Sequence, residues 1–340
     1  MNHAFENALH RREQKVPPIW MMRQAGRYHS HYQGLRAKHS FEELCRQPEL
    51  AAQVALGPIQ DFDFDVSILF SDILYPLDAM GLGLSYSDAG PKLEKSLRSS
   101  EDILNLRSWE EALPALEFQG HAMKCTREVL PANKSLIGFV GGLWTLFVYS
   151  VEGSHAGSLV ESKKRASLFP LFLEKALPLL RANIRLQLAA GAEVVMIFDT
   201  AAGEVSPAFF KSMIAPVLAE LATTFPGKLG YYSKGTQSAF FDDSFVRLPW
   251  AGRGFDHRWD LTRVLRSTSA GFVQGNFDQG FLHMEASDFD KALAEYVDSF
   301  KKMNVQERNG WVCGLGHGVL PKTPERNVRR FVDYVRETLG

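Results

Sequence analysis

Short apolar runs recur along the chain, and their alternation with helical stretches constrains the fold more than any other feature of the sequence. Residues with helical spacing separate most neighbouring runs, as at 109–129, 171–190 and 210–224. Regular alternation of strand and helix indicates a parallel sheet, either doubly wound or closed into an eight-stranded barrel. The predicted strands are residues 19–22, 66–70, 136–140, 194–198, 229–232, 252–255, 271–273 and 311–313.

The whole chain reads as one domain. No low-complexity linker and no change in composition divides the 340 residues, so we assign residues 1–340 to a single domain. Hydrophobic residues make up 45% of the chain, which is enough to bury a full core. A single domain favours the closed barrel over two smaller units. We therefore predict an α/β fold, a single (β/α)8 TIM barrel with an N-terminal extension.

The last helix has the clearest sequence pattern. Thr323 is predicted as its N-cap and Pro324 as its first helical residue. Residues 41–62 also show helical spacing, and Pro48 is expected to start a new helix within them. The apolar residues of the last helix that fall on one face are Val328, Phe331, Val332, Val335 and Leu339.

Charge and cysteine content exclude several classes of protein. The formal net charge of -1 argues against a general binder of nucleic acid or of membrane surfaces. Cys45, Cys125 and Cys313 are far apart and form no CxxC pair, which indicates a reducing compartment and no structural zinc site. The N-terminus has no apolar signal region, and no apolar run reaches the length of a membrane helix. We expect a cytoplasmic protein without nucleic-acid or membrane partners.

Polar residues and glycines follow the predicted strands at the point where each strand ends. In a closed barrel the carboxyl ends of all strands open into one mouth, where active sites are built. This distribution therefore predicts a shared polar cleft rather than scattered caps. The residues are Ser71 and Asp72, Gly141 and Gly142, Asp199 and Thr200, residues 233–235, Asp256, residues 274–276 and residues 316–318.

Asp72 lies in the stretch VSILFSDIL, residues 66–74, between two apolar runs. An unpaired, ionised carboxylate in a dry site loses much of its solvation free energy. Asp72 must therefore either cap a turn or receive hydrogen-bond donors from a ligand. An aspartate that caps a turn at a strand end is the commoner use of the residue. The spacing alone leaves both interpretations open.

Arg23 and Arg27 are four residues apart in the segment RQAGRY. At this spacing two guanidinium groups can share one face and bind carboxylates or phosphates. A solvated pair of surface arginines is the alternative, and the neighbouring Trp20 and Tyr28 weaken it because they suggest a partly buried setting. Arg46 is a third cation, and its helical position fits ordinary exposure equally well.

Tyr149 and His317 add two further polar groups. Tyr149 lies in GFVGGLWTLFVYSVEGS, where a strand, a Gly-rich turn and a helix starting near Trp144 or Thr145 follow one another. Its hydroxyl either donates into the mouth or packs among apolar neighbours. His317, between two glycines, either titrates near neutral pH or is a satisfied loop histidine. No metal spacing, phosphate-loop motif or GxSxG nucleophile is present, and the set of residues suits acid–base chemistry on a polyanion.

Six segments, in this order, resemble the signature segments of the uroporphyrinogen decarboxylase family: IWMMRQAGRY, ILFSDIL, GFVGGLWTLFVYSVEGS, FDTAAGEVSP, QGNFD and LGHGVLP. The likeness extends to the C-terminal helix. It implies a single (β/α)8 barrel, a homodimer and a carboxy-lyase that needs neither a cofactor nor a metal. The implied reaction removes CO2 from the acetate arms of uroporphyrinogen III and gives coproporphyrinogen III in haem biosynthesis.

The resemblance implies catalytic roles for Asp72, Arg23 and Arg27. Asp72 is implied to accept hydrogen bonds from the pyrrole N–H groups of the substrate and to stabilise the cation formed when a pyrrole carbon is protonated. Arg23 and Arg27 are implied to bind substrate carboxylates, with either Arg23 or an associated water as the proton donor. The residues implied to orient the substrate arms are Gln24, Tyr149, Thr200 and His317.

The chain also departs from the family pattern. Residues 29–31 read His-Ser-His in place of Leu-Pro-Glu, and Leu143 with the glycine before it replaces Ala-Pro. Thr200 replaces a serine, Gly314 stands where Asn is common, and Gln279 stands where Pro is common. These changes bear on the rate, the isomer preference and the loop geometry, but they leave the aspartate and the arginine pair in place.

Two other interpretations stay open on sequence grounds. A related barrel family transfers methyl groups from corrinoids to thiols with zinc held by a His-x-Cys pair and a distant Cys. None of the three cysteines here has a histidine two residues before it. The first alternative is therefore a zinc-free relative of that family. The other alternative is a non-catalytic paralogue that binds tetrapyrroles, against which retention of Asp72, Arg23 and Arg27 argues.

Overall fold

The computed structural model describes residues 1–87, 90–154 and 157–340. Seven parallel strands form its central sheet, in the order β1-β4-β5-β6-β7-β8-β9, and the remaining two strands form a separate hairpin. In chain order the strands are β1 (Val66–Ile68), β2 (Leu84–Ser87), β3 (Gly90–Leu93), β4 (Ser135–Gly141), β5 (Val195–Asp199), β6 (Leu229–Ser233), β7 (Gly252–Gly254), β8 (Phe272–Phe277) and β9 (Trp311–Leu315).

Helices pack against the sheet, with contacts of the fourth helix on β1 and of the eleventh on β4 and β5. Within the described residues, no helix is long and apolar enough to cross a membrane. In chain order the α-helices are α1 (His3–Leu9), α2 (Ser30–Arg36), α3 (Phe41–Arg46), α4 (Pro48–Phe62), α5 (Tyr75–Ala79), α6 (Ser100–Leu104), α7 (Trp109–Ala112), α8 (Glu117–Val129), α9 (Leu143–Glu152), α10 (Val160–Lys164), α11 (Phe169–Ala189), α12 (Pro207–Phe209), α13 (Ala215–Thr224), α14 (Asp243–Val246), α15 (Leu261–Ser267), α16 (Ala286–Lys301) and α17 (Glu325–Leu339).

Two apolar layers lie on opposite faces of the sheet, because successive side chains of a strand point to opposite sides. In β5, Met196 and Phe198 belong to an inner cluster, whereas Val195 and Ile197 belong to the larger cluster shared with the helices. The N-terminal extension contributes α1, whose Phe5 joins the inner cluster through a ring contact with Phe272 at 5.8 Å. Side chains therefore fill the inside of the curled sheet.

The predicted strand at residues 19–22 is not a regular strand. Ile19 makes an isolated parallel bridge with Cys313 in β9, and its carbonyl accepts a hydrogen bond from the Asp65 N–H group at 3.0 Å, just before β1. Pro17 and Pro18 precede Ile19, and proline has no N–H group to donate to a strand ladder. The segment is thus hydrogen-bonded to β9 at one edge of the seven-stranded sheet and to the residue before β1 at the other edge. The sheet is parallel and curled, and the fold is of the α/β class.

The other helix predictions hold with local corrections. A break at Gln47 separates α3 from α4, so Pro48 starts a helix as predicted. Residues 109–129 form α7, a 3₁₀ turn at Leu113–Leu116 and α8 instead of one helix. The N-cap of α17 is Pro324, not Thr323, whose hydroxyl donates to Leu320 O at 2.8 Å. The predicted apolar face of α17 is buried throughout.

The hairpin of β2 and β3 was not predicted. Its strands pair antiparallel, with Leu84 opposite Leu93 and Tyr86 opposite Pro91. The alternation in LSYS is short and half-polar, and the strands are only partly buried, so the hydrophobic pattern that marks a strand is weak here. The hairpin follows α5 and brings Tyr86 towards the mouth of the sheet.

Candidate active site

The carboxyl ends of the strands enclose an inner cavity with an apolar wall and a few polar groups. The wall is built largely by Met22, Ile68, Leu69, Phe139 and Phe198. The structure brings five sequence-predicted site residues to this cavity, which agrees with the prediction of a shared cleft at the strand ends. They are Arg23, Asp72, Tyr149, Thr200 and His317.

Asp72 lies in the turn between β1 and α5 and lines the inner cavity. Its Oδ1 atom accepts a hydrogen bond from the Leu74 N–H group at 2.9 Å, so Asp72 does serve a turn. Burial raises the pKa of its carboxyl, while the bond from Leu74 and the nearby charge of Arg23 act in the opposite direction. The turn interpretation is therefore confirmed for one oxygen, and the carboxylate also borders the cavity, where the second interpretation places a ligand.

Arg23 and Arg27 lie in a series of turns rather than on a helix face. Arg23 has a left-handed backbone with φ of 60°, which an L-residue seldom adopts. Both arginines are exposed, whereas the neighbouring Trp20 and Tyr28 are buried, so the partly buried setting does not extend to the two cations. Both line an outer cavity that also borders Asp72. The two arginines therefore line one cavity, but not on the shared helix face that their spacing predicted.

The glycines on either side of His317 are needed for close packing. A Cβ atom at Gly316 would lie 2.4 Å from the backbone nitrogen of His257, and one at Gly318 would lie 2.5 Å from Cδ of Arg23. The first contact is with rigid backbone and the second with a flexible side chain. Gly316 therefore allows the loop to approach its neighbour, and Gly318 leaves space for Arg23.

His317 is nearly buried and stacks on Tyr232, with the ring planes 15° apart. The Tyr232 hydroxyl donates to Gly316 O at 2.8 Å and lies 3.0 Å from His317 Nδ1. A single hydroxyl proton cannot be donated to both acceptors. A ring that carries a proton on Nδ1 satisfies both contacts, because Nδ1 then donates to the phenol oxygen.

Tyr149 and Thr200 supply hydroxyl groups from neighbouring elements, α9 and the end of β5. Burial raises the pKa of Tyr149 to about 12, and the charge of Asp72 acts in the same direction. The Tyr149 phenol is therefore protonated near neutral pH and acts as a hydrogen-bond donor. Thr200, which replaces the usual serine, keeps a hydroxyl at this position.

Gln24 and Arg46 do not line the cavity. The Gln24 carboxamide is buried, donates to Val66 O at 3.0 Å and accepts from the Met21 N–H group at 3.3 Å. Arg46 forms an ion pair with Asp78 at 2.7 Å. Backbone groups use both ends of the Gln24 amide, so the pocket contact predicted from the sequence is not seen in the cavity wall.

Two other strand-end aspartates also point away from the cavity. Asp256 is buried, and its carboxylate accepts from the Gly235 N–H group at 2.7 Å and from Arg258 Nη1 at 2.7 Å. Asp199 is fully buried and accepts hydrogen bonds from Thr145. Burial raises the pKa of Asp199 to about 6. The strand-end pattern therefore contains both cavity residues and residues that tie loops together.

Several cavity residues were not identified from the sequence. Tyr86, from the unpredicted hairpin, lines the outer cavity beside Asp72, and Arg36 adds a third arginine there. The buried Tyr86 hydroxyl lies beside the Asp72 carboxylate and acts to lower the pKa of that carboxyl, against the effect of burial. Phe139 and Phe198 could have been identified, because they lie near the carboxyl ends of strands whose alternation turns them inward.

The described residues show no metal site. No group of three His, Cys, Asp or Glu side chains in residues 1–87, 90–154 and 157–340 is placed to hold an ion. Cys45 and Cys313 are buried, Cys125 is partly exposed, and all three are free thiols. Burial raises the pKa of both Cys45 and Cys313, so these thiols are protonated near neutral pH.

The geometry of the two connected cavities suits an amphipathic polyanion. An apolar ligand body fits the inner wall, the Asp72 carboxylate can accept N–H donors, and anionic groups can reach the arginines of the outer cavity. Arg23 lines both cavities, and its charge offsets part of the rise in the pKa of Asp72 that burial causes. A cation that develops in the ligand would be stabilised by Asp72, and its carboxylates by the arginines.

Comparison with known proteins agrees with this picture. Residues 1–338 match the family described as uroporphyrinogen decarboxylase (URO-D). The uroporphyrinogen decarboxylase of Psychromonas ingrahamii is 33% identical, with 99% of this chain and 97% of that protein covered. The one from Crocosphaera subtropica is 34% identical, with 94% and 92% covered.

Among solved structures, a methyltransferase from Methanosarcina mazei superimposes with a TM-score of 0.79, covering 99% of this chain and 98% of that one. Its sequence identity of 18% supports a shared fold and nothing finer. The family match spans nearly the whole chain, and the relatives are similar over nearly their full length. The chain therefore belongs to the uroporphyrinogen decarboxylase family.

Proposed function

We propose that this protein is a cofactor-independent carboxy-lyase that converts the four acetate arms of uroporphyrinogen III to methyl groups, giving coproporphyrinogen III and CO2 in tetrapyrrole biosynthesis. Membership of the family and the names of its relatives support the reaction. The observation that carries the proposal is the Asp72 carboxylate, which borders an apolar cavity beside the arginines of the outer cavity. This arrangement matches a ligand with N–H groups at its centre and carboxylates at its edge.

Asp72 is the proposed electrostatic centre of the reaction. Without a ligand, burial disfavours its charge and raises its pKa. Pyrrole N–H groups that donate to the carboxylate would favour the charged form, so substrate binding and ionisation of Asp72 support each other. Protonation of a pyrrole carbon gives a cation, which accepts the electron pair released when the bond to CO2 breaks. The Asp72 anion lowers the energy of that cation.

Arg23 and Arg27 are the proposed partners of the substrate carboxylates, since both reach the outer cavity and are exposed to solvent. Arg23 or a water bound to it is the proposed proton donor. Tyr149, Thr200 and His317 are proposed to orient the arms by hydrogen bonds from the inner cavity wall. Gln24 is proposed to act indirectly, because it ties the start of the arginine segment to β1.

Three further proposals concern the closure of the barrel, the oligomeric state and the cellular location. We propose that the segment around Ile19 completes a closed (β/α)8 barrel, supported by its hydrogen bonds towards both edges of the sheet. The family resemblance supports a homodimer, which light scattering coupled to size exclusion would test. The three free cysteines support a reducing, cytoplasmic location.

The decisive experiment is incubation of the purified protein with uroporphyrinogen III in the absence of oxygen, with the products separated by their number of carboxylates. We expect sequential loss of carboxylates ending in coproporphyrinogen III. Tight binding without loss of any carboxylate would overturn the proposal and favour the tetrapyrrole-binding paralogue. One tightly held equivalent of zinc in the purified protein, together with no decarboxylation, would overturn the proposal and favour a zinc-dependent methyltransferase instead of the zinc-free relative.

A further inference from the structure

A buried hydrogen-bond network joins the end of β5 to the start of α9. Asp199, the last residue of β5, accepts from the Thr145 hydroxyl at 2.6 Å and from the Thr145 N–H group at 3.2 Å, both at Oδ1. The Thr145 hydroxyl in turn accepts from the Ala201 N–H group at 3.0 Å. On the other side, the Tyr231 hydroxyl donates to Asp199 Oδ2 at 3.3 Å. Asp199 and Thr145 are both fully buried.

This network replaces a missing helix cap. The N-cap of α9 is Gly142, which has no side chain to accept a hydrogen bond from the first turn. No larger residue fits there, because a Cβ atom at Gly142 would lie 2.5 Å from Cγ of Asp199. The carboxylate of Asp199 thus occupies the space of a capping side chain and binds the N–H group of the third helical residue. A charged acceptor at a helix N-terminus is also favoured by the helix dipole.

The same helix carries a proposed substrate contact. Tyr149 follows Thr145 by four residues, one helical turn, so a shift of the first turn of α9 moves Tyr149 with it. The network also fixes the backbone just after Thr200, at Ala201. Neither Asp199 nor Thr145 lines the inner cavity, so any effect on substrate must pass through other residues.

We propose that Asp199 and Thr145 form a buried clamp that positions Tyr149 in the wall of the inner cavity. Both are positioning residues, and the proposal rests on the proposed function of the cavity. Its expected signature is a loss of transition-state stabilisation that depends on the Tyr149 hydroxyl, because displacement of a contact by a fraction of an ångström weakens catalysis without touching substrate.

The first test is Thr145→Val, which keeps the shape of the side chain and removes the hydroxyl. With uroporphyrinogen III as substrate, we expect kcat/KM to fall by about tenfold, the effect of one buried hydrogen bond. The matched control is Thr126→Val in α8, where an equally buried hydroxyl donates to Ala122 O of its own helix at 2.7 Å. The control is expected to retain kcat/KM.

The second test separates positioning from general damage. In a Tyr149→Phe background, Thr145→Val is expected to change kcat/KM by less than twofold, because the hydroxyl that the clamp positions is already absent. Asp199→Asn is expected to lose less activity than Asp199→Ala, since it keeps an oxygen acceptor for Thr145. Equal effects of Thr145→Val in both backgrounds, or none in the wild-type background, would overturn the clamp.

A third measurement does not need activity. Hydrogen exchange of the free protein is expected to be faster in the peptides covering α9 for Thr145→Val, and unchanged there for Thr126→Val. If the wild-type protein fails to decarboxylate uroporphyrinogen III, the proposed function falls, and exchange in α9 decides the clamp by itself. Unchanged exchange in α9 of the Thr145→Val variant would then refute it.

Discussion

At the scale of single residues, the site depends on side chains whose polar atoms serve two purposes. Asp72 uses one oxygen for the Leu74 N–H group and borders the inner cavity. The Tyr232 hydroxyl donates to the backbone oxygen of Gly316, and its ring stacks on His317. Structural bonds of this kind hold a rotamer in place, so that the group facing substrate needs no reorganisation during the reaction.

Asp72→Asn tests the electrostatic role directly. The amide keeps an oxygen for the Leu74 N–H group but cannot carry the charge that is proposed to stabilise a cationic intermediate. We expect kcat to fall by about a hundredfold or more, measured with uroporphyrinogen III. We also expect the melting temperature to be no lower than in the wild type, because burial raises the pKa of Asp72 and its ionised form is costly in the folded protein.

A matched control for Asp72→Asn is Asp288→Asn in α16, an exposed carboxylate 3.6 Å from Lys291. It makes the same chemical change far from the cavity and is expected to leave turnover unchanged. Turnover that is also unchanged in Asp72→Asn would mean that Asp72 is only the acceptor of its turn.

Gly318→Ala tests the space reserved for Arg23. The added methyl group would lie 2.5 Å from Cδ of Arg23, so the side chain must move away from its position beside Asp72. We expect KM to rise by about tenfold, because Arg23 is the proposed partner of a substrate carboxylate in the ground state. Steady-state kinetics provide the measurement.

Gly34→Ala serves as the control for Gly318→Ala. Nothing lies within 4 Å of a Cβ atom at Gly34, which is in α2. There we expect an unchanged KM and a gain in stability of about 0.5–1 kcal/mol from the lower entropy of the unfolded chain. The same KM in both variants would show that Arg23 adapts without loss.

At the scale of secondary-structure elements, most predicted strands and helices are present because their apolar periodicity is strong. The failures share a cause. Residues 19–22 have apolar character but follow two prolines, and the β2–β3 hairpin is too exposed to show a clear pattern. In both places the pairing is decided by tertiary contacts, which a local pattern does not contain.

Asp65→Ala tests how the Ile19 segment is held. The Asp65 carboxylate accepts from the Ile19 N–H group at 2.8 Å and lies 3.4 Å from Arg336 of α17. Loss of these contacts is expected to lower the free energy of unfolding by about 2–3 kcal/mol, since hydrogen bonds to charged groups are among the stronger ones. Urea unfolding gives the measurement.

For comparison, Asp288→Ala removes an exposed ion pair and is expected to change the free energy of unfolding by about 0.5 kcal/mol or less. An Asp65→Ala variant that is no less stable than this control would show that the seam between β9 and β1 is held by other contacts.

At the scale of the whole molecule, the buried carboxylates link folding to pH. Asp199 is fully buried, and its pKa rises from the ordinary value of 3.8 to about 6. Between these values the folded protein binds a proton that the unfolded chain has released. The contribution of Asp199 to stability is therefore full below pH 3.8 and is lost as the pH rises through about 6. Tyr231, which faces it, has a raised pKa and stays neutral over this range.

Asp199→Asn is expected to remove this pH dependence. Relative to the wild type, the free energy of unfolding of the variant should increase by about 2 kcal/mol between pH 4 and pH 7, because only the wild type must ionise a buried carboxyl. Denaturant unfolding at a series of pH values gives the two curves. Parallel curves would contradict the assigned titration and point to ionisation of Asp199 outside this range.

The sequence by itself determined the strand–helix alternation, the family and most of the polar residues that meet in the cavity. These follow from side-chain periodicity and from segments whose order and spacing are specific. Only the tertiary structure decided which strand-end residues reach the cavity. Asp72 and Thr200 do, whereas Asp199 and Asp256 bind loops and a helix start, and Gln24 binds backbone groups.

The physical reason is that an aspartate at a strand end meets competing donors whose positions depend on neighbouring strands. Asp199 accepts hydrogen bonds from Thr145 and Tyr231, which lie 54 and 32 residues away in the chain. The position of Arg23 likewise could not be read from the sequence. A left-handed turn at Arg23 and the space left by Gly318 bring its side chain to the cavity. Residue types are read along the chain, but the direction of each polar group is set by partners that only the fold brings near.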